Sequence, residues 1–264
     1  MKHSRWLSPV PLAVLIGIGC GGGKPPEASA KTEQAPVAAA QVAQAPSGGN
    51  PTGSGVISGE VKFSGTPPKA QPVQMAADPV CQQAHPEPIY PEEVAVGPGG
   101  GLKNVLVYVK EGLQGSFPPA AQPAMLNQSG CWYMPRVFGL QVNQPLEIIN
   151  SDPTMHNVNA KPTQNTPFNL AQPKQGMKMS KAFAKPELPV KFKCNVHPWM
   201  SAYAGVFAHP FFAVTSSDGV FSITGLPAGT YTIEAWHEKF GTQTQQVTVG
   251  SGEATTATFT FSGS

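Results

Sequence analysis

The sequence predicts an all-β protein made of two β-sandwiches, one smaller than the other. Of its 264 residues, 28 are glycine and 29 are proline, which favours short strands joined by turns over long helices. Short runs of alternating apolar and polar residues recur from residue 133 onward and again after residue 209. No stretch repeats apolar residues with the period of an α-helix over a useful length.

The N-terminus resembles an export signal followed by a tether. A basic start precedes an apolar stretch too short to span a bilayer, so residues 1–19 are predicted to be a signal peptide. The small residues before Cys20 resemble a bacterial lipobox, which predicts lipidation of Cys20; ordinary cleavage nearby is the alternative. Residues 20–53 are predicted to be a disordered linker. We expect an exported chain on the periplasmic or cell-surface side of the envelope, attached to the membrane through its N-terminal lipid only.

Three folded segments are predicted after the linker: an N-terminal β segment at 54–112, a larger domain at 113–209 and a β-sandwich at 210–264. Their turns fall at clusters of Gly, Pro, Asn and Asp, such as Asp218-Gly219. The segments 66–101 and 153–181 are predicted to be mostly loop. Strands are predicted at 56–63, 103–110, 124–128, 135–142, 146–150, 181–183, 190–194, 205–207, 212–215, 220–223, 230–236, 245–249 and 257–261.

Composition and motifs exclude two classes of function. Only 12% of the residues are charged and the net charge is +2, so there is no basic field for nucleic acid. The sequence has no Ser-His-Asp, zinc-protease, phosphate-loop or paired-carboxylate signature, and we do not expect an enzyme.

One short stretch concentrates metal-binding side chains. Cys194, His197 and Met200 lie three residues apart, and a thiolate, an imidazole and a thioether suit an electron-transferring copper ion. His156, which follows a predicted strand, supplies a fourth ligand if the two strand ends meet at one pole of a sandwich. Taken singly, Cys194 would more often be half of a disulfide and Met200 a core residue. Their joint occurrence predicts one copper ion per chain.

The motif Asn150…His156-Asn157-Val158, followed by Cys194-x-x-His197-Pro198-x-Met200, resembles the type 1 copper cupredoxins, and its ligand loop has the spacing of amicyanin. The resemblance covers roughly residues 133–209. It implies a Greek-key sandwich in which Asn157 braces the loop that carries Cys194 and Pro198 adjoins the ligands. It also implies that His197 lies at the surface, where it would offer an exit for electrons.

Residues 218–233 resemble the carboxypeptidase regulatory-like β-sandwich. That family opens with strands like the one at Gly59-x-Val61, so the copper domain is predicted to be inserted into a split sandwich formed by 54–112 and 210–264. The alternative is an extended copper domain followed by a separate C-terminal sandwich. Because an exported compartment is oxidising, Cys81 and Cys131 are predicted to form a disulfide. The alternative is a second metal site that uses Cys81 and His85.

The predicted function is one-electron transfer through a mononuclear copper site, with an unidentified redox protein as donor or acceptor. One alternative is a copper-buffering or resistance protein that passes no electrons. Another is an adhesion or glycan-binding sandwich with a vestigial metal site. His209, His237 and three methionines, at positions 155, 177 and 179, are interpreted as ordinary surface or core residues.

Overall fold

The computed structural model describes residues 53–263. The predicted signal peptide, the lipidation site Cys20 and nearly all of the linker lie outside the described residues. Within 53–263 no helix is long and apolar enough to cross a bilayer. This part of the chain contains one short α-helix, α1 (Pro79–Ala84), and the following strands: β1 (Gly55–Ser64), β2 (Leu106–Glu111), β3 (Ala124–Ser129), β4 (Trp132–Met134), β5 (Val137–Gln141), β6 (Leu146–Asn150), β7 (His156–Lys161), β8 (Phe168–Gln172), β9 (Lys178–Lys181), β10 (Glu187–Lys193), β11 (Ser201–Phe207), β12 (Phe212–Val214), β13 (Val220–Leu226), β14 (Gly229–His237), β15 (Gly241–Val249) and β16 (Ala254–Ser262).

The predicted all-β class is confirmed, and the strands form two sandwiches. The outer sandwich packs the sheet β13-β1-β16 against the sheet β12-β2-β14-β15. Its strands come from both ends of the described chain, because β1 pairs antiparallel with β13 and parallel with β16. In the described residues, β1 pairs with no strand of 113–209.

Alternation between buried and exposed residues is clearest in β16, the last strand of the outer sandwich. In β16, Ala257, Phe259 and Phe261 point into the core while the intervening threonines face outward, as a period of two requires. Strands β1 and β16 approach each other closely at Gly59, where a Cβ atom would lie 1.7 Å from the carbonyl oxygen of Ala257. Only glycine fits there without moving the backbone.

The inner sandwich consists of the sheets β5-β11-β10-β7-β8 and β4-β3-β6-β9. Its core is a separate cluster of buried apolar residues contributed by both sheets. A third, smaller apolar cluster joins it to the outer sandwich and contains Leu106, Val137, Phe207, Phe212 and Trp236. The two sandwiches therefore share buried surface rather than being joined only by their connecting segments.

Two segments differ from the sequence-based prediction. The stretch 153–181, predicted as loop, contains β7, β8 and β9. Its alternation is hidden because β7 buries polar residues, among them His156 and Asn157. The predicted strand at 181–183 is displaced, since only Lys181 lies in β9. The segment 66–101 is mostly loop, as predicted, and contains α1, which starts after Asp78 with Pro79 in its first turn.

Candidate metal centre

The four predicted ligands lie at one end of the inner sandwich. Cys194 directly follows β10, and His197 and Met200 lie in the loop that leads to β11. His156 begins β7, which runs antiparallel to β10, so the start of one strand meets the end of the other. All four side chains are buried, with relative exposures of 0–2%.

Three ligand atoms converge there. The Nδ1 atoms of His156 and His197 are 2.8 Å apart, and Sγ of Cys194 is 3.8 Å from Nδ1 of His197. All three atoms lie within 4.8 Å of one another. Since a first-row ion such as Zn²⁺ binds imidazole nitrogen and thiolate sulfur at about 2.0–2.3 Å, one ion can contact all three after a small adjustment. Met200 packs in the same apolar cluster as Cys194.

The ligand loop is held by its own hydrogen bonds. The amide of Cys194 donates to the carbonyl of Met200 over 3.2 Å, and the amide of Met200 donates to the carbonyl of His197 over 2.9 Å. Oδ1 of Asn157 accepts from the amide of Asn195 at 2.7 Å and from the thiol of Cys194 at 3.5 Å. These hydrogen bonds fix the conformation of the loop from Cys194 to Met200.

Replacing Asn157 with alanine is expected to destabilise the fold by about 1–3 kcal/mol, because a buried amide group that joins β7 to the ligand loop would be lost. Urea unfolding measures this change. Asn159→Ala is the matched control on the same strand, since its amide makes an exposed hydrogen bond to Asn195; it should change stability by no more than about 0.5 kcal/mol. Equal effects of the two substitutions would contradict the bracing role of Asn157.

Each histidine also contacts a carboxylate to which the sequence assigned no role. Nε2 of His156 donates to Oδ2 of Asp152 over 2.8 Å, and Nε2 of His197 donates to Oδ2 of Asp78 over 3.0 Å. Asp152 lies four residues before His156, whereas Asp78 caps α1 far away in the sequence. The Asp78-Pro79 pair is a helix-start signal that could have located the helix, but not its contact with His197.

The charges of the cluster follow from these contacts. Burial raises the pKa of Asp78, but hydrogen bonds from His197, Thr154 and two amides outweigh it and lower the pKa to about 2. Burial lowers the pKa of His156, but the contacts with Asp152 and Cys194 outweigh it and raise the pKa to about 9. Burial likewise opposes ionisation of Cys194, and its contacts with His156 and nearby groups still lower the pKa of the thiol.

The surface position implied for His197 is wrong. Its side chain is only 2% exposed. Asp78 lies against Nε2, Sγ of Cys81 is 3.6 Å from the same nitrogen, and the ring of Trp199 is 5.1 Å away between centroids. The segment that carries α1 therefore covers the edge of the imidazole that faces away from the ligand cluster. Pro198, by contrast, is exposed.

The predicted disulfide between Cys81 and Cys131 is present. Because its sulfur is bonded to Cys131, Cys81 has no free thiolate for the alternative metal site with His85. Nε2 of His85 lies 2.6 Å from the carbonyl oxygen of Gly130. Two other groups of possible ligands in the described residues each contain one of the bonded cysteines. Among the three groups, only His156, Cys194 and His197 includes a free thiol.

His209 and His237 belong to none of the groups of possible metal ligands found in the described residues. His209 is half-buried against the rings of Phe207 and Phe211, and desolvation lowers its pKa to about 4. His237 is also buried, and its burial and the nearby Arg136 lower its pKa to about 4. Met155 is 47% exposed.

Comparisons with known proteins give partial matches. A family model described as the carboxypeptidase regulatory-like domain matches residues 204–262. No curated protein matches the chain significantly.

Solved structures with partial similarity include three copper proteins. A Cu-containing nitrite reductase from Thermus scotoductus has 21% identity and a TM-score of 0.29; the match covers 36% of this chain and 24% of the reductase. A purple cupredoxin from Nitrosopumilus maritimus has 19% identity and a TM-score of 0.28, covering 31% of this chain and 98% of the cupredoxin. A Cu(I) form of an amicyanin variant has 19% identity and a TM-score of 0.29; the match covers 32% of this chain and 81% of the amicyanin. The chain thus spans about a quarter of the reductase it matches.

Proposed function

We propose that this protein is an envelope-anchored, one-electron carrier with one copper ion per chain. His156, Cys194 and His197 would hold the ion, and Met200 would be a weak fourth ligand. The observation that carries the proposal is the convergence of two imidazole nitrogens and one free thiol, all buried, at the end of a β-sandwich. Thiolate and imidazole together with a thioether favour copper over hard ions such as Mg²⁺ or Ca²⁺.

The chain's own residues supply the properties that electron transfer needs. Copper bound there would supply a Cu(I)/Cu(II) couple that gains or loses one electron. The buried ligands exclude water from the cluster, and the hydrogen-bonded loop from Cys194 to Met200 resists rearrangement. The electron would come from, and go to, a redox protein, and no covalent bond to that partner needs to form or break.

The test is the visible spectrum of the purified chain titrated with Cu(II). We expect an intense blue charge-transfer band from the Cys194 thiolate, and Cys194→Ala should abolish it because the alanine variant has no sulfur donor there. Met155→Ala is the matched control, since this exposed thioether adjoins His156 in the sequence but lies outside the cluster; its spectrum should match wild type. A colourless wild-type copper complex would refute the type 1 assignment.

A copper-buffering role is the second candidate, and the burial of His197 favours it. An electron carrier of this kind was expected to expose one ligand, His197, to its redox partner. Because His197 is covered, none of the four proposed ligands has an exposed edge. Stopped-flow oxidation of the Cu(I) protein by a small inorganic oxidant separates the roles. Rapid single-exponential oxidation supports the carrier, whereas slow oxidation combined with tight Cu(I) binding supports the buffer.

A further inference from the structure

Each histidine of the cluster contacts a carboxylate that also accepts hydrogen bonds from other groups. Asp152 accepts from the amide of Gly130 at 2.7 Å and from the amide of Cys131 at 2.8 Å, as well as from His156. A carboxylate with this many donors stays ionised, because each bond favours the charged form.

Asp78 is held in the same manner from a different part of the chain. Its Oδ1 accepts from the amides of Val80 and Cys81 at 2.8 and 3.3 Å, as the N-cap of α1. Its Oδ2 accepts from the hydroxyl of Thr154 at 2.8 Å and from His197.

The two carboxylates select the tautomer of each ligand histidine. An ionised carboxylate can only accept, so the hydrogen must sit on the Nε2 atom that faces it. When an ion displaces any proton on Nδ1, each histidine keeps its proton on Nε2 and offers a lone pair on Nδ1. It is the two Nδ1 atoms that face each other beside Cys194.

The disulfide joins the two cysteines whose amides donate to these carboxylates. The amide of Cys81 donates to Asp78 and the amide of Cys131 donates to Asp152, so the bonded cysteines hold the two carboxylate-bearing segments together. The arrangement joins α1, which precedes the inner sandwich, to the loop between β6 and β7. Most of this arrangement is buried: Asp152 is 7% exposed and both cysteines are fully buried, while the side chain of Asp78 is 18% exposed.

We infer that Asp78 and Asp152 are positioning residues that orient the two histidines and favour the divalent over the monovalent form of the bound ion. This inference rests on the proposed copper site. With the Cys194 thiolate, the two carboxylates place three negative charges around the cluster. Attraction scales with the charge of the ion and is strong where water is excluded, so Cu(II) gains more from these charges than Cu(I).

The experiment compares Cu(II) and Cu(I) affinities of the full chain by competition with chelators at one pH, for Asp78→Asn and Asp152→Asn. Asparagine keeps the shape and an accepting oxygen but removes the charge. We expect Cu(II) affinity to fall about 10–100-fold and Cu(I) affinity to fall by a smaller factor. A purely structural role would weaken both ions alike, so the ratio of the two affinities separates positioning from loss of fold.

Glu87→Gln is the matched control, because Glu87 is an exposed acid on the same covering segment as Asp78. It should leave the ratio unchanged. Variants of Asp78 and Asp152 that keep the wild-type ratio, in a wild-type protein that binds copper, would overturn this inference and leave the proposed function intact. A wild-type chain that binds no copper would overturn both.

Discussion

Replacing Glu238 with leucine is expected to destabilise the fold by about 3–5 kcal/mol. Nε of Arg136 donates to Oε1 of Glu238 over 2.6 Å and Nη2 donates to Oε2 over 2.8 Å, in a two-pronged pair. The two side chains are only 8% and 3% exposed. Leucine leaves the guanidinium of Arg136 buried without its counter-charge, and that uncompensated charge is what costs the stability. Urea unfolding followed by circular dichroism measures the loss.

The double variant Arg136→Met/Glu238→Leu makes the reason testable. Because it removes both charges and keeps apolar volume, it should be more stable than Glu238→Leu alone. Lys62→Ala is the control for a solvated pair: Lys62 and Glu60 are 46% and 43% exposed, so the change should be at most about 1 kcal/mol. A double variant as unstable as the single one would show that the loss comes from packing rather than from buried charge.

The Arg136–Glu238 pair also connects the two sandwiches. Arg136 lies between β4 and β5 of the inner sandwich, and Glu238 follows β14 of the outer one. Together with the apolar cluster around Trp236, it gives the junction both a charged and an apolar contact.

Removing the disulfide with Cys81→Ala/Cys131→Ala is expected to destabilise the fold by about 4 kcal/mol in the chain-entropy model. The bond closes a loop between cysteines 50 positions apart, and the unfolded chain gains entropy when that constraint is lost. Chemical denaturation of the oxidised wild type and the double variant measures the difference.

Reductant provides the matched control for that experiment. Dithiothreitol should lower the unfolding midpoint of the wild type to near that of the double variant, and should leave the double variant unchanged. A wild type that loses less than about 1 kcal/mol under full reduction would contradict the prediction, since the constraint on the unfolded state would then contribute little.

Local patterns predicted most of the outer sandwich. Alternation marks β16, with its Thr and Phe residues, and the Asp218-Gly219 turn precedes β13, so the positions of these strands follow from near neighbours. Strand β7 was missed because the rule that buried positions are apolar fails there, and β9 because it buries no residue. His156 and Asn157 are buried and polar, and each contacts a residue far along the chain, His197 and Asn195 respectively.

By itself, the sequence determined the all-β class and the candidate ligands, because strand alternation and the spacing Cys194-x-x-His197-x-x-Met200 are local properties. Only the tertiary structure decided that His197 is covered and that Asp78 and Asp152 face the two histidines. Asp78 and His197 are 119 positions apart, so their contact depends on the path of the whole intervening chain and leaves no local pattern. The same path brings Cys81 to Cys131 and sets both carboxylates beside the cluster.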